Sequence, residues 1–154
     1  PRDLISKFYQ SPGSRTKSPK ITDPKRSAGG FLPRIGEPEG LPDWFTPKDL
    51  DYVVGQFEES GFRGGVNYYR NIERNWKLTK DLKDHKIKVP TLFIAGSRDM
   101  VIGGASKEML QSSMKEAIPL LEEVILFPNI GHWVQQEAPE ETNKILISFL
   151  NESN

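Results

Sequence analysis

The sequence contains no cysteine, which excludes disulfide bonds, thiolate nucleophiles and zinc sites built on thiolates. A chain without disulfides is compatible with a reducing compartment, so we expect the cytoplasm. No stretch approaches the roughly 20 apolar residues of a membrane span, and Pro1-Arg2-Asp3 does not resemble a secretory signal. Basic and acidic residues balance at 21 each, which removes any global charge argument for nucleic acid, an anionic membrane or an acidic substrate.

Basic residues are concentrated at the start of the chain. Residues 1–34 contain eight Lys or Arg against two Asp, a net charge of +6 that the remaining residues offset. From Ser11 to Pro42 the sequence is rich in Pro, Gly, Ser and charged residues, and it fits neither a helical nor a strand period. We therefore expect Ser11 to Pro42 to be loop or disorder, and residues 1–34 to be a solvated, loosely ordered segment rather than a polyanion site.

Helical signals begin at Thr46. Thr46 is a typical N-cap residue, Pro47 suits the first helical position, and Gly61 is a typical stop. Between them, apolar residues follow at helical spacing: Leu50, Val53, Val54 and Phe57. A second helix is expected over about residues 66–76, after a break at Gly64-Gly65.

Farther along, the pattern predicts strands. Residues 89–96 and 123–128 are short, continuous apolar runs that each end in a turn signal, which is typical of a sheet covered on both faces. Residues 106–118 favour a helix between them, and residues 139–150 favour a terminal helix. Its expected apolar face contains Ile145, Leu146, Phe149 and Leu150. The order predicts a parallel α/β fold, and since two strands and two helices cannot cover both faces and edges, we expect the last portion of a larger one.

Reactive groups in open α/β sheets collect beyond the carboxyl ends of the strands. The first strand is followed by Gly96-Ser97-Arg98-Asp99 and the second by residues 129–133, which include His132. Acid before histidine is the chain order of the α/β-hydrolase triad. A single Asp in a turn is more often a turn former, however, so spacing alone leaves the pairing open. His85 has charged neighbours on every side and is expected to be a solvated linker residue.

The segment from Ser60 to Trp76, SGFRGGVNYYRNIERNW, closely resembles the lid segment of soluble epoxide hydrolases, usually written GFRGxLNxYRNxxRNW. Residues 89–101 and 131–141 resemble the acid and histidine motifs of that family. Similarity extends over roughly residues 40–152, with a weaker echo of the lid motif FQxPG in residues 8–13. The resemblance implies a lid remnant or basic loop over residues 1–45, a helical lid segment over 46–80 and the C-terminal part of the α/β-hydrolase core over 81–154.

The resemblance also implies a reaction, the hydrolysis of an epoxide to a vicinal diol through a covalent aspartyl ester. Tyr69 matches the lid tyrosine that donates a proton or hydrogen bond to the epoxide oxygen. His132 matches the base that activates water against the ester, and Asp99 matches its orienting acid. A phenol of pKa about 10 is acidic enough to protonate a departing alkoxide. Adjacent helical residues differ by about 100°, so only one of the two tyrosines should face the cavity, and we expect Tyr68 to pack within the lid.

Trp133 and Met100 flank the proposed base and acid. Each is a candidate for lining an apolar substrate pocket, with core packing an equal alternative. No cofactor or metal is required, because Asp99 and His132 are the only convergent polar pair and no third ligand has suitable spacing.

The sequence departs from the family by lacking a nucleophile. No GxDxG or GxSxG elbow and no HGxP oxyanion loop occurs. We therefore expect the chain alone to be inactive and its partners to be a small apolar epoxide and the N-terminal half of a hydrolase. The alternatives are a catalytically silent chain that binds such a half, or another lid-bearing hydrolase such as an esterase or dehalogenase. The position of the second lid tyrosine is occupied by Ile5, and Tyr9 stands where the family usually has Phe.

Overall fold

The computed structural model describes residues 1–13, 32 and 37–152, which fall into two compact units, Pro1–Gly64 and Gly65–Asn154. Most of the loop expected between Ser11 and Pro42 lies outside the described residues. A helix that the sequence patterns did not indicate, α1, spans Arg2–Phe8. The division between the units falls inside the segment that resembles a lid.

The first unit packs α1 against α2, which spans Pro47–Ser60. Its buried core consists of Ile5 from α1, Phe45 from the preceding turn, and Leu50 and Val54 from α2. The apolar residues that predicted α2 thus supply its core face, since Val53 and Phe57 pack against the same cluster.

The predicted ends of α2 are confirmed. The Thr46 hydroxyl accepts from the backbone N–H of Asp49 at 3.2 Å, and the Asp49 carboxylate accepts from the backbone N–H of Thr46 at 2.9 Å. These reciprocal bonds form a capping box. The Thr46 hydroxyl and backbone N–H, both donating to the carboxylate, hold the pKa of Asp49 below its ordinary value. Gly61 ends the helix at φ 66°, a left-handed value that glycine adopts without steric cost.

The single helix expected over residues 66–76 is two helices, α3 (Arg63–Arg70) and α4 (Ile72–Leu78), followed by a 3-10 turn at Lys80–Leu82. The prediction of a break at Gly64-Gly65 was wrong, since both glycines continue α3. Glycine costs only about 1 kcal/mol relative to alanine inside a helix, which does not stop it. The break comes at Asn71, whose side-chain amide and backbone N–H both donate to the Asn67 carbonyl, at 2.8 Å and 3.1 Å.

Two strands in the second unit pair in parallel, as predicted. They are β1 (Thr91–Gly96) and β2 (Leu121–Phe127), with Gly96 opposite Phe127 at their carboxyl ends. Helix α5 (Lys107–Lys115) connects them and packs on β2. Ser106 caps it, accepting from the backbone N–H of Met109 at 3.2 Å. Strand, helix and strand therefore form one βαβ crossover that brings the ends of both strands to the same edge.

Beyond β2, the short helix α6 (Val134–Glu137) leads into the terminal helix α7 (Pro139–Glu152). The buried core here is Phe127, Val134 and Ala138, with Ile94, Ile125, Ile130 and Ile145 packed against it. The expected apolar face of α7 is only half correct. Ile145 and Phe149 are half-buried, whereas Leu146 and Leu150 are exposed, because α7 packs on the rest of the fold over a narrower stripe than its sequence offers.

Candidate functional site

The loops that follow β1 and β2 lie side by side, and three hydrogen bonds that involve their backbone join them. The backbone N–H of Ser97 donates to the Phe127 carbonyl at 2.9 Å, and that of Arg98 donates to the Ile130 carbonyl at 2.9 Å. The Ser97 hydroxyl accepts from the backbone N–H of Asn129 at 3.0 Å. These bonds fix the two loops relative to one another.

Gly96 allows the loops to approach this closely. A Cβ atom added to Gly96 would lie 2.2 Å from the carbonyl oxygens of both Ile130 and Gly131. Both contacts are to backbone, so no side-chain rotation relieves them. Asn129 completes the turn with φ 63°, a left-handed conformation in which Asn is enriched among non-glycine residues.

The structure brings Asp99 and His132 together, as the strand-end argument anticipated. The Nδ1 atom of His132 lies 3.0 Å from Oδ2 and 3.1 Å from Oδ1 of Asp99. Because an ionised carboxylate only accepts hydrogen bonds, this contact assigns the ring proton to Nδ1. The other ring nitrogen, Nε2, is then the one that carries a lone pair and can take a proton from water.

Burial differs between the two partners in a way that suits an orienting acid and a base. The Asp99 side chain is 11% exposed, and His132 is 51% exposed. Asp99 is fixed by its own turn, since its N–H donates to the Gly96 carbonyl at 3.0 Å and its Oδ1 accepts from the Val101 N–H at 2.8 Å. No described residue hydrogen-bonds to Nε2 of His132. Asp99 is therefore held in place while the His132 ring remains exposed.

Glu137 is a member of this site that the sequence patterns did not single out. Its carboxylate accepts from the backbone N–H of Gly131 at 3.0 Å and from that of Trp133 at 3.1 Å. The signal available in the sequence was an acid at the end of a short segment between the apolar residues Val134 and Ala138, where a charge needs hydrogen-bonding partners.

The two candidate substrate-binding residues differ in their surroundings. The half-buried Trp133 ring stands edge-on to His132, with ring centroids 5.3 Å apart and planes at 73°. Met100 is 73% exposed and is not a core residue in this structure. Of the two, Trp133 is in direct contact with the proposed base.

The tyrosines of α3 are both exposed, Tyr69 at 76% and Tyr68 at 82%. The expectation that Tyr68 packs within the lid is not met, because no described neighbour covers its ring. Within the described part of the chain, no hydrogen bond joins Tyr69 to Asp99 or His132. Tyr9, the other tyrosine of interest, stacks on Phe45 with ring centroids 4.7 Å apart, so its ring packs with the core of the first unit.

His85 is exposed, as expected of a linker residue. Across residues 1–13, 32 and 37–152, no three acidic, histidine or cysteine side chains cluster in a way that would hold a metal ion. None of the helices described is long and apolar enough to cross a membrane.

Comparison with known proteins gives a consistent set of relatives. The chain is 38% identical over 143 residues to "Epoxide hydrolase A" of Mycobacterium tuberculosis, covering 90% of this chain and 41% of that protein. It is 37% identical to "Epoxide hydrolase 3" of Siraitia grosvenorii, covering 97% of this chain and 46% of the relative. The crystal structure of epoxide hydrolase A from Mycobacterium thermoresistibile superposes with a TM-score of 0.79 at 37% identity, covering 98% of this chain and 46% of that one.

No family model matches the chain. The chain spans less than half the length of these relatives. The similarity includes the loops that carry Asp99 and His132, since it covers nearly the whole of this chain.

Proposed function

Because this chain belongs to the epoxide hydrolases of the α/β-hydrolase fold and corresponds to their C-terminal portion, we propose that it serves in opening small apolar epoxides to vicinal diols. The Asp99–His132 pair carries the proposal. Its contact of 3.0 Å, with the acid held and Nε2 facing outward, is the arrangement needed to activate a water molecule.

In the first step, an aspartate carboxylate attacks an epoxide carbon, and the carbon–oxygen bond of the ring breaks. That nucleophile is not in this sequence, so it has to come from the complementary part of a hydrolase. Tyr69 donates its phenolic proton to the departing oxygen. The role assigned to Tyr69 rests on its place in the SGFRGGVNYYRNIERNW segment.

In the second step, Nε2 of His132 takes a proton from water, and the resulting hydroxide attacks the ester carbonyl. The ester bond breaks, releasing the diol and restoring the carboxylate, and the proton held by the His132 imidazolium returns through water to the Tyr69 phenolate. Asp99 accepts from Nδ1 throughout and stabilises the imidazolium that forms. Dividing one displacement into ester formation and ester hydrolysis is covalent catalysis. The pair therefore acts mainly in the second step.

Substrate contacts fall to the apolar side chains around these groups. Trp133, whose ring meets His132 at its edge, would border the reacting carbon, and the exposed Met100 would line a more distant part of the pocket. Helices α3 and α4 expose several large apolar side chains, which supports a lid that closes over an apolar ligand. The exposed set includes Val66, Tyr68, Tyr69, Ile72, Trp76 and Leu78.

The partner that completes the site is the half of a hydrolase bearing the nucleophile and the oxyanion donors. Support comes from the two-stranded sheet described here, because the helices beside it are too few to cover both of its faces and both of its edges. We place the reaction in the cytoplasm, in keeping with a sequence that has no cysteine to form disulfides.

The experiment that tests this function is a chimaera of this chain with Epoxide hydrolase A of Mycobacterium tuberculosis. In the chimaera, this chain replaces the segment of the relative that it matches, and the N-terminal part of the relative is kept. A folded chimaera should convert an aryl epoxide to its diol, and His132→Gln should abolish that turnover. A matched His85→Gln variant, which changes the exposed linker histidine, should retain it. A chimaera that folds cooperatively yet forms no diol would overturn the proposal.

A further inference from the structure

We propose that Glu137 is a positioning residue that holds His132 in the orientation needed to meet Asp99 and water. This inference rests on the proposed function, because it assigns the base of that reaction a second support besides its acid. Asp99 fixes the ring of His132 from one end, and Glu137 fixes the backbone from which that ring projects.

The two oxygens of Glu137 accept from the backbone N–H groups of the residues before and after His132. Oε2 accepts from the Gly131 N–H at 3.0 Å, and Oε1 accepts from the Trp133 N–H at 3.1 Å. The direction in which a side chain leaves the backbone is set by the peptides that flank it. The Trp133 N–H lies in the peptide that follows His132, and the Gly131 N–H lies one peptide before the one that precedes it. A single carboxylate bound to both therefore limits how far the backbone that carries His132 can move away from Asp99.

The support for Glu137 is itself rigid. It is the last residue of α6, and the core residues Val134 and Ala138 bracket that helix end. The Ala138 N–H donates to the Val134 carbonyl at 3.0 Å, and the buried Thr142 hydroxyl donates to the same carbonyl at 3.3 Å. Glu137 thus links the loop that carries His132, residues 131–133, to the core of this unit.

The same loop also lies against Gly96. The carbonyl oxygens of Ile130 and Gly131 come so close to Gly96 that a Cβ atom would not fit there. Gly96 is in close contact with the loop at Ile130 and Gly131, and Glu137 bonds to it at Gly131 and Trp133, so both neighbours restrict its movement. Bonds from N–H groups to a carboxylate are stronger than neutral ones. A neutral amide in place of Glu137 would present an NH₂ group to one of two N–H donors, so one bond must be lost.

The first test uses the chain itself and does not depend on catalysis. Amide hydrogen exchange at Gly131 and Trp133 should become at least about tenfold faster in Glu137→Gln. Nitrogen NMR of the His132 ring should change from mainly Nδ1-protonated to a mixture of tautomers. Glu140→Gln, an exposed acid in the first turn of α7, removes the same charge and should change neither signal.

The second test uses the active chimaera and separates the two steps. Glu137→Gln should slow ester hydrolysis about tenfold or more while ester formation stays near the parent rate, so that the covalent ester accumulates. Parent-like tautomer and ester hydrolysis in a folded Glu137→Gln variant would overturn the positioning role. If the unsubstituted chimaera makes no diol but the tautomer changes as expected, the proposed function fails and the positioning role stands.

Discussion

The two regions that carry the proposed catalytic groups are held in place in different ways. The loops bearing Asp99 and His132 are joined by bonds between residues about 30 positions apart, such as Arg98 to Ile130 and Ser97 to Asn129. Helix α3, which bears Tyr69, has bonds only to near neighbours among those described for it, such as Arg70 to Asn67.

The difference shows which part of the chemistry this chain specifies by its own packing. The acid and base have a fixed mutual geometry because a strand pair and a core lie directly beneath them. Tyr69 stands on a helix whose apolar side chains are exposed, so its distance from the base is set by what covers that helix. We infer that the Asp99–His132 part of the proposed site is preorganised and that the Tyr69 part is completed on assembly with the complementary half of a hydrolase.

The largest expected effect comes from removing the charge beside the base. In the chimaera, Asp99→Asn should lower kcat for diol formation by about 10⁴-fold, the loss typical when a triad acid becomes an amide and favours the wrong imidazole tautomer. Asp84→Asn, at an exposed linker position, should leave kcat unchanged. Steady-state kinetics with an aryl epoxide gives both values. A loss below tenfold for Asp99→Asn would contradict a preorganised base.

Tyr69→Phe tests the other side of the comparison. Loss of a general acid should reduce epoxide opening by about 10² to 10⁴-fold, and the deficit should appear in ester formation rather than ester hydrolysis. Tyr68→Phe is the matched control, because it removes the same hydroxyl from the adjacent position. Rapid-quench measurement of the ester separates the steps. Equal losses in the two variants would show that the motif does not distinguish these tyrosines.

The sequence predicts some residues of this site and not others. Strand ends and chain order anticipated Asp99 and His132, because their meeting depends on two short apolar runs that read clearly as strands. Gly96 and Glu137 were not anticipated as supports. Gly96 acts as a support because carbonyl oxygens occupy the space that a Cβ atom would need, and Glu137 because it accepts from two backbone N–H groups. Neither contact leaves a periodic pattern in the sequence.

For the fold, caps and apolar spacing predicted α2 closely, because local bonds set its ends, and two continuous apolar runs predicted both strands. The helices after Gly61 were less predictable. Gly64 and Gly65 suggested a break, yet the break comes at Asn71, whose side-chain amide and backbone N–H share the Asn67 carbonyl. The apolar face of α7 was over-estimated, since only its contact with the rest of the fold decides which residues are buried.

Gly96→Ala should lower the free energy of unfolding by roughly 3 kcal/mol, since the added methyl overlaps two carbonyl oxygens and forces the two hydrogen-bonded loops apart. Gly65→Ala makes the same chemical change in α3, where an added Cβ meets nothing within 4 Å. It should leave stability unchanged or raise it by up to about 1 kcal/mol. Urea unfolding of the two variants measures the difference. Similar values would mean that the loops adjust at little cost.

The smallest effect concerns a purely local contact. Thr46→Ala removes the N-cap of α2 and should lower the free energy of unfolding by about 1 kcal/mol. The folded-state pKa of Asp49 is lowered, so the stability it contributes is present above the ordinary carboxyl range near pH 4 and is lost as pH falls through the folded value. Parent and variant should therefore converge in urea unfolding below that range. A gap that persists undiminished there would contradict the ionic part of the cap.

The most direct test of the account is the intact mass of the chimaera carrying His132→Gln after mixing with an aryl epoxide. If His132 is the base of the second step, the protein should gain the mass of one epoxide and keep it, with almost no diol released. Unsubstituted chimaera should show little adduct and continuous diol formation. A His132→Gln protein that turns over at the parent rate, or that never gains the adduct while folded, would contradict the role of the Asp99–His132 pair.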